Sequence, residues 1–200
     1  CSAERSPCNR PDATANTAGA VRSGLLPAAG SLAQCFVGCA GWNVPSLHAN
    51  LFDTPVRPEK ASHLQRYASA LNGVEINSSF YRPHRRTTYE RWSATTPEGF
   101  RFAVKAPKQI THTHRLVGVE GLLDEFIEQV EGLGDKLGPL LVQLPPSLAF
   151  EARQAKAFFT ALRARTAADV VCEPRHRSWV EASADELLES LSVGRVAADP

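Results

Sequence analysis

Six short apolar runs recur between residues 36 and 200: "FVGCAGW", "GVEIN", "FRFAVKAP", "GPLLVQLPP", "ADVVCEPRH" and "GRVAADP". Amphipathic stretches separate them. Leu64, Tyr67, Ala68 and Leu71 share one helical face in residues 60–72. Leu122, Phe126, Ile127 and Val130 share another, with Gly134 as the stop. Ala155, Phe158, Phe159 and Leu162 repeat the pattern. Thr87 with Glu90, and Ser183 with Glu186, have the spacing of capping boxes. Apolar runs alternating with helical periods predict βαβ units and a parallel sheet.

The pitch of the repeat narrows the architecture. Val37, Glu75, Lys105, Gln143, Glu173 and Asp199 mark the runs at a mean spacing of about 32 residues. Eight such units need about 260 residues, the usual size of a (β/α)8 barrel. About 165 residues follow residue 35. The expected fold is therefore α/β and TIM-barrel-like, with about six βα units present and the last two missing at the C-terminus. The alternative is an open parallel α/β sheet of the doubly wound kind.

The flanking sequence and composition bound the rest. Residues 1–34 are rich in Ala, Ser, Gly, Pro and Thr without a period. They are expected to form a disordered leader to a domain spanning 35–200. The apolar stretch at 21–35 is short and broken by Pro27 and Gly30, so a secretion signal is not expected. No run approaches the roughly 20 apolar residues of a membrane helix. The five cysteines (Cys1, Cys8, Cys35, Cys39, Cys172) form no CxxC pair, which suits reduced thiols in the cytoplasm. A net charge of +1 argues against a generally basic nucleic-acid coat. Nothing in the sequence indicates a particular oligomeric state.

Five of the runs carry a polar residue at or near their end. Side chains alternate across a strand, so Glu75 shares a face with Asn77, Lys105 with Ala103, Gln143 with Leu141, Glu173 with Val171 and Asp199 with Ala197. A lone strand-end charge is ordinarily solvated or paired. Five at equivalent positions predict a polar pocket at the carboxyl ends of the strands, where barrels of this type bind ligands.

The motifs "GCAGW", "VEINSSFYR", "FRFAVKAPKQITH", "LGPLLVQLPPS" and "EPRHRSW" resemble, in order and spacing, the YecE-like family, domain of unknown function seventy-two. The resemblance covers about residues 36–200. It implies a TIM-barrel-type fold, with no established activity, and a chain that ordinarily continues past the point matching Pro200. It carries over to Trp42, Glu75, Asn77, Phe80, Tyr81, Trp92, Lys105, Thr111, His112, Gln143, Glu173, Arg175, His176, Trp179 and Asp199.

Chemistry assigns roles among these residues. Glu75, Lys105, Glu173 and His176 are the catalytic candidates. The carboxylates would work as acid and base if their environments differ, and Lys105 as a point charge or amine. The bland reading pairs Lys105 with Glu75 or Glu173. Arg175 offers a fork for a carboxylate or phosphate. Trp42, Tyr81 and Trp179 are candidate aromatic walls, at least two of them ordinary packing. Asn77, His112, Gln143 and Asp199 complete the substrate-binding set. Pro145 and Pro146 admit a cis bond. A divalent metal drawn from Glu75, Glu173, His176 and Asp199 competes with the charges of Lys105 and Arg175. No cofactor is therefore expected, and the favoured partner is a small anionic ligand. Arg82, Arg85, Arg86 and Arg91 are read mainly as a solvated helix start, with phosphate or nucleic-acid contact as the second reading. Three functions compete. One is an enzyme (hydrolase, lyase or isomerase) acting on an anionic, phosphorylated-sugar-like molecule. The second is a metal-dependent nuclease or phosphoesterase, by fold analogy. The third is a barrel that binds nucleic acid or protein without catalysis.

Overall fold

The computed structural model describes residues 34–45, 47, 48, 52 and 61–198. The expected leader (apart from Gln34) and Asp199 lie outside the described residues. Helices and strands alternate as α1 (His63–Ala70), β1 (Gly73–Ile76), α2 (Arg86–Ala94), β2 (Arg101–Lys105), α3 (Glu120–Val130), β3 (Leu137–Gln143), α4 (Ala152–Arg163), β4 (Val170–Glu173), α5 (Ala182–Ser190) and β5 (Val193–Arg195). The strands form one parallel sheet in sequential order, β1-β2-β3-β4-β5.

That order separates the two expected architectures. A doubly wound sheet reverses its strand order at a switch point. Here each strand lies beside its predecessor, as in a TIM barrel. One sheet face, carrying Val74, Ile76, Phe102, Val104, Leu140 and Val142, is buried in the core with the helices. Each large apolar side chain fully buried there contributes about 1.5–3 kcal/mol. The opposite face carries Glu75, Ala103, Lys105, Gln143 and Val171, all only partly buried.

The first apolar run is not a regular strand. It meets β1 through one bridge, Ala40 to Glu75. Gly73 N donates to Val37 O, Glu75 N to Cys39 O and Gly41 N to Glu75 O, so the run lies parallel to β1 as a frayed edge. Its glycines explain both the fraying and the closeness. Gly41 has φ +85°, and a Cβ on Gly38 would stand 2.0 Å from Gly73 O.

Helix starts depart from the capping expectation. Neither α2 nor α5 has a side-chain cap, so the Thr87–Glu90 and Ser183–Glu186 boxes do not form. The capping box that forms is Ser62 with Gln65, at the start of α1. On α3 the buried residue is Leu123 rather than Leu122. On α4 all four expected residues are buried. The end of α2 is held from outside. Lys136 Nζ donates to Ser93 O at 2.5 Å and Thr96 O at 2.6 Å, placing a cation at the C-terminal end of the helix dipole. Lys136→Met should cost about 1–3 kcal/mol in urea unfolding, because Thr96 O loses its charge-assisted donor while Ser93 O keeps Thr96 N and Oγ1. A loss under a few tenths would mean water replaces the ammonium fully.

Candidate functional site

The polar residues of the open face do not sit at one level of the sheet. Glu75 is opposite Ala103, and Lys105 lies two residues further along β2. Lys105 is opposite Leu141, and Gln143 lies two residues beyond that, opposite Glu173. The polar positions therefore climb by about one residue per strand. A closed barrel of eight strands and shear eight has that stagger. On a flat sheet Glu75 and Glu173 would be separated by about 13 Å along the strands and about 14 Å across them. Yet Glu173 acts electrostatically on Glu75. The tilt and curl of a barrel-type sheet shorten that separation at the carboxyl rim.

Glu75, Lys105, Gln143 and Glu173 form the floor of this rim. Glu173 is 6% exposed. Its Oε1 accepts from Gln143 Nε2 at 2.9 Å and from the Arg175 guanidinium. Gln143 thus orients a protein carboxylate through its Nε2. Arg175 keeps the rest of its fork unbonded among the described residues. Lys105 departs from the paired reading as well. Among the described residues it forms no ion pair within 4 Å. Its ammonium instead stands over the Phe80 ring, 4.9 Å from the centroid.

Phe80 is the residue the sequence reading missed as a site element. The resemblance carried it without a role. It follows Ser79, whose Oγ lies 2.8 Å from Ile76 O and 2.6 Å from Lys105 O, fastening the loop after β1 to the end of β2. His112 meets the Phe80 ring edge-on at 4.9 Å. The only sequence signal for this was an aromatic three residues after a strand-end amide. Asn77 sits at the start of the same loop, and its Oδ1 is buried without a hydrogen-bond partner among the described residues. An unmet buried acceptor costs about 1–3 kcal/mol, and this one is closed to solvent.

His112 lies on a strained loop. Residues Gln109–Thr113 form a π-helical turn. Arg115 and Leu116 follow with φ 51° and 71°. Two successive left-handed residues other than glycine cost on the order of 1–2 kcal/mol each. They are held by Arg115, which donates to Ser147 Oγ at 3.0 Å and Ser147 O at 2.8 Å, and by Gln154, which donates to Arg115 O. Strain of this kind concentrates at functional loops. His112 Nδ1 bonds Thr111 Oγ1 at 2.8 Å. Burial, then the charges of Lys108 and Lys105, depress its pKa, so it is neutral at physiological pH.

Several candidates are placed elsewhere. Trp179 is 1% exposed, its Nε1 donates to Leu148 O, and its ring meets Phe150 at 5.0 Å. It is a packing residue, because the short helical turn Arg177–Val180 points it into the core. His176 caps that turn, with Nδ1 engaged by Ser178. Trp42 packs edge-on against Trp92 at 5.0 Å, and Tyr81 is 75% exposed, edge-on to Phe80 at 5.1 Å. The Pro145–Pro146 turn has no cis bond. In β5, Arg195 is opposite Cys172 and bonds Asp185 of α5, so odd-numbered residues there face the helices. The strand ends at Arg195, so the facing of Asp199 lies outside the described residues. No three His, Cys, Asp or Glu side chains gather in a metal-ligating group among the described residues. No described helix is long and apolar enough to cross a membrane. Cys35 and Cys39 are free and exposed, while burial pushes the Cys172 thiol up to about 12.

Burial raises the Glu75 pKa, Glu173 adds to the rise, and Lys105 opposes it. The folded chain therefore holds this proton more tightly than the unfolded chain. Ionising Glu75 opposes folding, and its contribution is lost as pH rises from 4.5 through the folded value. Glu75→Gln should thus be more stable than the parent at neutral pH, with the gain vanishing below about pH 4.5. Urea unfolding at both pH values tests this; a gain independent of pH would assign it to packing instead.

The family model described as "Protein of unknown function DUF72" matches residues 36–200. Among curated proteins, the UPF0759 protein YunF of Bacillus subtilis (strain 168) is 28% identical over 152 residues, covering 72% of this chain and 51% of YunF. The UPF0759 protein YecE of Escherichia coli (strain K12) is 33% identical over 82 residues, 41% of this chain and 30% of YecE. The matched region thus spans about half the length of YunF and less of YecE. Two solved structures share the fold. A DUF72 family protein from Thermotoga maritima has a TM-score of 0.63 at 25% identity, covering 82% of this chain and 64% of that one. One from Enterococcus faecalis V583 has a TM-score of 0.66 at 22% identity, covering 82% and 60%.

Proposed function

The chain belongs to the DUF72 family, whose function is unknown, and from the rim geometry we propose that it binds a small anionic molecule there and transfers a proton to or from it. The observation that carries this reading is Lys105: an ammonium without an ion pair among the described residues, standing over Phe80 and acting electrostatically on Glu75, whose pKa burial raises. Lys105 and the free side of Arg175 supply positive charge for a phosphate or carboxylate. Asn77 Oδ1, closed to solvent here, would accept from a ligand hydroxyl once the loop after β1 opens. A phosphorylated sugar has both groups.

The two carboxyl groups divide the work. Glu173 is fixed in place by Gln143 and Arg175. Burial raises the Glu75 pKa above the ordinary carboxylate value, the direction that favours a proton-donating role. Neutral His112, across Phe80 from Lys105, is the second group able to exchange a proton. Proton exchange by such a set serves a hydrolase, a lyase or an isomerase.

Calorimetric titration with ribose 5-phosphate and with ribose tests the binding step. Saturable binding of the phosphate ester, unaffected by a chelator and at least about tenfold tighter than ribose, is the expected result. Equal binding of both sugars would remove the anion site. Chelator-sensitive binding would favour a metal site in place of Lys105. Salt-dependent binding of an oligonucleotide with none of ribose 5-phosphate would move the function to nucleic acid. Glu75→Gln should then abolish turnover of whichever phosphorylated sugar is consumed while leaving its binding intact.

A further inference from the structure

Outside the rim floor, a cavity of about 160 Å³ opens between the loop after β1, the loop after β2, and α3. Its apolar walls include Phe80, Tyr81, Leu122 and Phe126, and the charged groups around it are Arg82, Lys108 and Glu125. Glu75, Lys105 and Glu173 do not line it. Phe80 is the shared wall: one side of this residue borders the cavity, while its ring carries the Lys105 ammonium.

The dimensions select a ligand size. An apolar cavity of about 150 Å³ holds a benzene ring, and this one is of that volume. Phe126 is buried, and Phe80 and Leu122 are partly so. Charge selects the substituent. Arg82 and Lys108 are exposed and form no ion pair among the described residues. Glu125 is already engaged, since Gln129 Nε2 donates to its Oε1 at 3.0 Å. Two uncompensated cations against one occupied carboxylate leave the mouth positive.

We propose that this cavity is a second small-molecule site, which takes a flat aromatic ring bearing a carboxylate. The ring enters between Phe80 and Phe126, with Tyr81 at the mouth, where edge-to-face contacts suit an aromatic guest. The carboxylate meets Arg82 and Lys108. The site stands independently of the proposed rim chemistry, because it uses none of the rim's charged residues.

Benzoate, benzyl alcohol and benzylamine share the ring and differ in charge. Each is titrated into the isotopically labelled protein, following amide and aromatic signals by NMR. Benzoate is expected to shift the signals of Phe80, Phe126 and Gln109 saturably, and to bind more tightly than benzyl alcohol. Benzylamine is expected to bind weakest. Arg82→Ala combined with Lys108→Ala should weaken benzoate by about tenfold or more without changing the melting temperature appreciably, because both side chains are exposed. Glu125→Gln should tighten it. Lys105→Met should leave it unchanged, which separates this site from the rim. Benzylamine binding above benzoate, benzoate binding that survives loss of both cations, or benzoate binding lost with Lys105 would each overturn the proposal. So would the absence of any saturable shift.

Discussion

Lys105→Met is expected to weaken binding of ribose 5-phosphate by about tenfold to a hundredfold while changing stability little. A hydrogen bond to a charged group contributes about 1.5–3 kcal/mol, and tenfold corresponds to 1.4 kcal/mol. The stability half follows from what Lys105 touches. Its ammonium has no ion-pair partner among the described residues, so its removal orphans no opposing charge at that distance. Methionine keeps an unbranched apolar side chain that can lie on Phe80. Were Lys105 holding Glu75 or Glu173 in a buried pair, the same change would cost several kcal/mol. Calorimetry and urea unfolding on one variant therefore separate a ligand-facing lysine from a structural one. Unchanged binding with a large stability loss would reverse the assignment.

Trp179→Ala should lower stability by about 3–5 kcal/mol, the range for deleting a buried aromatic ring. In a domain of this size that is a fall in melting temperature on the order of 10 °C. The substitution opens a cavity beside Phe150 and leaves Leu148 O without its indole donor. Trp179→Phe should recover most of the packing and none of the hydrogen bond, and so fall between the two. If Trp179 were a ligand wall, the loss would appear in affinity with little change in unfolding. The motif "EPRHRSW" placed Trp179 among three candidate walls, at least two of them packing, without saying which. A tryptophan just past a strand-end arginine and histidine reads as part of a rim until the turn Arg177–Val180 is seen to rotate it inward.

The repeat itself was legible because it is a local signal. Burial on one face imposes a period of two on a strand and of 3.6 on a helix, and residues 61–198 keep both. Phe158, Phe159 and Leu162 could be assigned to the core from spacing alone. So could the rim parity of Glu75, Lys105, Gln143 and Glu173, since alternation is a property of any strand. The pitch pointed to a barrel, and sequential strand order agrees. Capping was less legible. Thr87 and Ser183 have the right neighbours, but helix starts depend on where the incoming chain is directed. That direction left them inside or beside the first turn and gave the box to Ser62.

Partner choice at the rim was decided by the tertiary structure, because it depends on distances across strands that spacing does not encode. Sequence alone determined that Glu75, Lys105 and Glu173 share a face. Curvature and stagger determined that Glu173 takes Gln143 and Arg175, that Glu75 is left to burial, and that Lys105 rests on Phe80. The cavity beside Phe126 is of the same kind: its walls come from two loops and a helix whose convergence follows from the packing of successive βα units. A pattern of side chains along one chain specifies which face each residue occupies. Which charges meet is specified only when the sheet curls, since the attraction between charges falls with distance through space and not with separation along the sequence.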